Sequence, residues 1–79
     1  MIRLHGILRE ESNTRELIVE GRCLTEVIEK LPESVRKVIM KYSQYLLILV
    51  NGKRVYDLTA VLEDNDIVDM IPPAGGGIL

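Results

Sequence analysis

At 79 residues, 47% hydrophobic and 28% charged, the chain has room for one soluble globular domain with a small core, and its composition is neither fibrous nor disordered. The formal net charge of −2 comes from interspersed signs. There is no basic run and no ladder of aromatics, so neither nucleic acid nor a stacking platform is indicated. The longest apolar run, residues 46–50, falls far short of the roughly 20 residues a membrane helix needs, so no membrane role is expected. Cys23 is the only cysteine, which allows no internal disulfide. With no signal peptide, the expected compartment is the reducing cytoplasm. With three Tyr and no Phe or Trp, the core must come from Leu, Ile and Val.

Alternation of Ile2, Leu4 and Leu8 with Arg3, His5 and Ile7 predicts a strand over residues 2–8. Residues 9–14 are polar and carry the turn pair Ser12-Asn13. Residues 15–20 are apolar and β-branched at their centre, so strand, turn and strand form an N-terminal hairpin. After Gly21-Arg22, the spacing of Leu24, Val27, Ile28 and Leu31 predicts an amphipathic helix closed by Pro32. Cys23 takes the N-cap place, with Glu26 three residues on, though sulfur is a poor acceptor for a capping box. Val35, Val38 and Ile39 predict a short second helix after Ser34. Residues 45–50 form the strongest strand, Asn51-Gly52 the clearest hairpin turn, and residues 53–56 the return strand. A loop over 57–66, with one helical turn near 60–62, leads to a last strand at 67–71, stopped by Pro72-Pro73.

That order predicts an α+β fold of the β-grasp (ubiquitin-like) type: a mixed sheet of four to five strands with one main helix packed on one face. The domain spans residues 1–79, with a flexible tail over 72–79. No catalytic or metal site is expected. Cys23 reads as a packing residue at the helix start, not as a nucleophile. His5, the only histidine, has no partner ligand and reads as an ordinary strand residue. Glu63, Asp64, Asp66 and Asp69 lack calcium-loop spacing and read as a solvated stretch. Gly75-Gly76-Gly77 has no helix after it to complete a phosphate loop.

The tail is the remaining candidate, against the plain reading of a frayed end. Pro72-Pro73 makes a stiff exit from the last strand. Ala74, Gly75, Gly76 and Gly77 then offer a nearly bare backbone that can thread a narrow channel. Alternation places Leu46, Ile48, Val50, Val68 and Met70 inward. Leu47, Leu49, Ile67 and Ile71 are then left as an apolar patch on the other face, a partner site or a second core surface. Arg9, Lys53 and Arg54 are candidates for its rim.

Three segments, Leu47-Ile48-Leu49-Val50-Asn51-Gly52, Leu62-Glu63-Asp64-Asn65-Asp66-Ile67-Val68 and Met70-Ile71-Pro72-Pro73-Ala74-Gly75-Gly76-Gly77, resemble the MoaD and ThiS sulfur carriers. The first strand resembles theirs as well, and Pro-Pro is closer to MoaD than to ThiS. The resemblance implies a carrier, not an enzyme, in one form the small subunit of a molybdopterin synthase. A ubiquitin-activating-type enzyme would adenylate the Gly77 carboxylate using its own ATP and Mg. A sulfur donor would convert the adduct to a thiocarboxylate, and an acceptor synthase would take the sulfur. The acceptor would be a molybdopterin or thiazole precursor, a tRNA base or an activated amino acid. No cofactor is expected on the carrier itself.

The family pattern ends at the second glycine, here Gly77, but the sequence continues to Ile78-Leu79. A β-branched residue does not follow glycine down a narrow channel. The resemblance therefore implies a precursor trimmed by a zinc-dependent peptidase. Two other classes stay open at this point: a ubiquitin-like modifier conjugated to lysine, and a non-covalent binding module with a vestigial tail.

Overall fold

The computed structural model describes residues 1–73. Along the chain run β1 (Ile2–Leu4), α1 (Gly6–Ser12), β2 (Glu16–Leu17), α2 (Leu24–Glu29), α3 (Glu33–Lys41), β3 (Leu47–Val50), β4 (Lys53–Arg54) and β5 (Val68–Ile71). The strands form one five-stranded sheet in the order β2-β1-β5-β3-β4. β1 and β5 are parallel, and the other neighbours are antiparallel. This is the mixed sheet of an α+β β-grasp fold, with β5 at its centre. No helix among the described residues is long and apolar enough to cross a membrane.

The N-terminal unit differs from the expected hairpin. β1 stops at Leu4, and Gly6 at φ +55° turns the chain into α1. That left-handed conformation is open to glycine and costly for most residues. Leu4 and Leu8 satisfy strand alternation, yet they also stand four apart, and Leu8 is fully buried from the helix. The buried Ser12 hydroxyl donates to the Leu8 carbonyl at 2.6 Å. Asn13, at φ 54° and ψ 36°, ends the helix in a left-handed cap. Ser12-Asn13 is therefore a helix stop, not a hairpin turn. β1 and β2 still pair antiparallel, Ile2 with Leu17 and Arg3 with Glu16.

The helical layer is also larger than expected. Cys23 is the N-cap of α2 and makes no side-chain cap bond, as sulfur chemistry leads one to expect. Pro32 ends that helical run and caps α3, which at 9 residues is the longest helix described. Proline loses nothing at a helix start, where no N–H partner is available. The predicted helical turn near 60–62 is absent. Instead the Asp57 carboxylate accepts from the Thr59 N–H at 2.9 Å and its hydroxyl at 2.6 Å, and Val61 bridges to Cys23. The predicted strand 45–50 gives its first residue, Tyr45, to a 3-10 turn at Ser43–Tyr45 and begins pairing at Leu47. Asn51 and Gly52, at φ 52° and 82°, make the expected turn, with both central residues in the left-handed region.

One core lies between the sheet and the helices. Ile2, Leu4, Val68 and Met70 meet Leu8, Leu24, Val27, Leu31, Val35 and Ile39, all buried. Leu46, Ile48 and Val50 pack against it, as alternation predicts. Each such side chain contributes about 1.5–3 kcal/mol on burial.

Candidate functional site: the root of the C-terminal tail

β5 delivers the chain to Pro72 and Pro73, both half-buried. Residues 74–79, and with them Ala74, Gly75, Gly76, Gly77 and the Ile78-Leu79 extension, lie outside the described residues. The root of the tail and the sheet face beside it frame the site.

Register fixes that face. Leu47 pairs with Ile71, Leu49 with Asp69, and Asp69 with Arg3 on the other flank. Paired residues share a face, so these five side chains point away from the core side taken by Ile48, Val50, Val68 and Met70. Leu47, Leu49, Ile67 and Ile71 are all half-buried, and none belongs to the core cluster. Of the expected rim, Arg54 pairs with Leu49 and lies over the Tyr56 ring at 4.7 Å. Lys53 pairs with Val50 and so shares the core-side face, and Arg9 lies on α1, off the sheet.

Asp69 does not belong to a solvated stretch. It is 7% exposed, the only acidic residue among the buried ones described. Arg3 Nε donates to Asp69 Oδ1 at 2.8 Å and Nη2 to Oδ2 at 3.0 Å, a bidentate pair. His5 Nε2 is also 2.8 Å from Oδ1. An ionised carboxylate only accepts, so Nε2 carries the proton in this contact. The Arg3 hydrogen bond is the main reason the Asp69 carboxyl is held below the usual carboxylate range, against the opposing effect of burial. His5 itself lies just beyond the strand, at the N-cap of α1.

Arg3, His5 and Asp69 are not brought together by any local pattern in the sequence, although the signal is present. Arg3 and His5 alternate with the core residues Ile2 and Leu4, and Asp69 lies between Val68 and Met70. A parallel β1–β5 pair must set them on one face.

Asp66 has a different role at the other end of β5. Its carboxylate accepts from the Glu63 N–H and from Asn51 Nδ2, both at 2.8 Å, and these bonds hold it below the usual range. The Ile67 N–H donates to Asn51 Oδ1 at 2.9 Å, so the loop is stitched to the β3–β4 turn. A hollow of about 220 Å³ lies at that end too, lined in part by Met1, Ile18, Glu20, Leu62 and Asp64. It is remote from the tail root, which leaves β5 at the opposite end. Cys23 is free and half-buried. Among the described residues no group of three or more His, Cys, Asp or Glu side chains converges to hold a metal.

The ThiS family model matches residues 2–77, nearly the whole chain. The chain belongs to the ThiS family. No curated protein matches it. Among solved structures, this ThiS-family chain is similar to one in the complex of subunits 1 and 2 of molybdopterin-converting factor from Helicobacter pylori 26695. That similarity has a TM-score of 0.70 at 20% identity, covering 96% of this chain and 95% of that one. Small archaeal modifier protein 1 from Methanosarcina acetivorans is as close in fold, with a TM-score of 0.69 at 23% identity, covering 96% and 93%. At these identities the likeness establishes the β-grasp fold. The family match adds that the ThiS pattern extends through Gly77 and stops short of Ile78-Leu79.

Proposed function

We propose that this ThiS-family protein is a sulfur carrier that works from Gly77 once Ile78-Leu79 has been removed. The carrying observation is the family match, which ends on Gly77 of a tail launched from the central strand. The Gly77 carboxylate attacks the α-phosphorus of ATP and releases pyrophosphate, giving an acyl adenylate. A sulfur nucleophile then displaces AMP and leaves a thiocarboxylate. ATP and Mg belong to the activating enzyme, of the ubiquitin-activating type. A zinc-dependent peptidase exposes Gly77, and an acceptor synthase takes the sulfur for molybdopterin-type, thiamin-type or amino-acid biosynthesis. All of these steps are cytoplasmic.

The carrier supplies no acid, base or metal to this chemistry. It supplies placement: the partner holds the sheet face, and the tail presents one carboxylate to the partner's reacting groups. Leu47, Leu49, Ile67 and Ile71 form the apolar part of that docking face, with Gly76 and Gly77 as the residues that enter the partner's site. Removing Ile78-Leu79 frees the carboxylate from its peptide bond and takes away a β-branched obstacle.

ATP–pyrophosphate exchange with an activating enzyme tests the reading. The chain truncated at Gly77 is expected to support exchange, and the 79-residue chain is not. Equal exchange by both would remove the need for trimming, and exchange by neither would end the carrier reading. Likeness in fold to a small archaeal modifier protein favours a second reading, in which the same activated Gly77 is joined to a lysine. Lysine-linked adducts in cells, without thiocarboxylate, would select it.

A further inference from the structure

The last residues before the tail are held from one side by a single short segment, the junction between β1 and α1. Arg3 and His5 hold the Asp69 side chain. The His5 N–H donates to the Met70 carbonyl at 3.2 Å. Gly6 lies against the Pro72 ring: a Cβ added at Gly6 would come within 3.1 Å of Pro72 Cγ and 3.6 Å of Cδ. On the other flank, β3 pairing runs to Leu47 and Ile71. The chain therefore passes from a paired strand directly onto a packed proline.

Each of these contacts restricts direction. The Pro72 ring fixes its own φ and confines Ile71 to extended backbone. Seating the ring on a bare α-carbon then limits how far the exit can swing. A pair between a buried carboxylate and a half-exposed guanidinium adds little net stability, but its bidentate geometry is narrow. At Asp69 that geometry registers β1 against β5, three residues before the first proline. The bare carbon at position 6 meets two demands at once, a φ of +55° and close approach to Pro72.

We propose that the His5–Gly6 junction sets the direction in which the chain leaves the sheet at Pro72, making both of them positioning residues for the tail. Its purpose, aiming Gly77, rests on the sulfur-carrier reading; the geometric claim does not. With the junction intact, the chain of a docked carrier leaves the sheet at Pro72 in one direction. With the junction altered, docking is preserved and delivery suffers.

Gly6→Asn is the discriminating variant. Asparagine tolerates left-handed backbone, so the turn is kept while its Cβ presses on Pro72. The Cα–Hα residual dipolar couplings of Pro72 and Pro73 are expected to change, a readout that needs no enzyme. In the chain truncated at Gly77, kcat for pyrophosphate exchange is expected to fall roughly tenfold with KM unchanged, since a 1 Å misplacement costs on the order of a hundredfold. Adding Gly6→Asn to Pro72→Ala should cost nothing further, because the ring it presses on is gone. His5→Ala, a half-exposed site, is the second variant should Gly6→Asn not fold, and it too should move the couplings of Pro72 and Pro73. Unchanged couplings in both variants would overturn the proposal, as would an equal kcat loss from Gly6→Asn with and without Pro72→Ala. If the couplings move but even the native truncated chain supports no exchange, the carrier reading fails and the junction's role stands.

Discussion

The two faces of the sheet are built on opposite plans. The face toward the helices packs into a core of ten buried apolar residues, from Ile2 to Met70, with no buried charge on that side among the described residues. The other face puts a buried carboxylate, Asp69, among half-buried leucines and isoleucines and holds it with Arg3 and His5. Apolar burial is non-directional and supplies stability. A bidentate ion pair is directional and supplies little. The helix side therefore makes the fold, while the opposite side fixes register and leaves Leu47, Leu49, Ile67 and Ile71 half-buried outside the core. Because β5 belongs to both faces and carries the tail, a disturbance on either side reaches the tail root by a different route.

Substitutions should separate the two plans. Leu24→Ala or Leu8→Ala empties a fully buried site and is expected to cost about 2–5 kcal/mol in urea unfolding, a large share of the stability of so small a domain. Asp69→Ala removes three charge-assisted contacts, with an expected loss of about 1–3 kcal/mol. A loss as large as that of Leu24→Ala would mean that both faces carry the fold. Leu47→Ala and Leu49→Ala are expected to cost under about 1.5 kcal/mol, being half-buried. Their effect should fall instead on KM for the activating enzyme, and an unchanged KM would move the docking face elsewhere.

Acid titration probes the same contrast more gently. The folded Asp69 carboxyl is held below its ordinary value, chiefly by Arg3, so the unfolded chain binds more protons near that range. The Asp69 contribution is complete above the ordinary carboxyl pKa of about 3.9 and is lost as pH falls through the lower folded value. Asp66, lowered by the Glu63 N–H and Asn51, acts in the same direction. Stability measured from pH 6 downward should therefore fall below about pH 4, less steeply in Asp69→Ala.

Much of this architecture is legible in the amino-acid order because local and tertiary signals agree. Asn51-Gly52 demands a primed turn and makes one. Leu24 and Val27 keep helical spacing and are buried on α2, while Leu31, also buried, lies past the helix end at Glu29. Alternation separates Ile48 and Val50 from Leu47 and Leu49. The reading fails where one residue serves two patterns. Leu8 fits both a strand and a helix, and only the left-handed Gly6 decides between them. Pro32 reads as a stop but is also a start, which hides the length of α3. Asp69 looks like part of an acidic surface run, since its burial depends on Arg3, 66 positions earlier in the chain. Periodicity reports which face a residue takes, but not the partner waiting there.

The account turns on Gly77 becoming a thiocarboxylate after trimming, and intact mass reads that directly. The 79-residue chain, incubated with the peptidase, the activating enzyme, ATP, Mg and sulfide, should lose the mass of Ile78-Leu79 and then gain the difference between one sulfur and one oxygen, with Gly77→Ala blocking the gain. A chain that keeps Ile78-Leu79, or one that ends at Gly77 and never exchanges oxygen for sulfur, would contradict it.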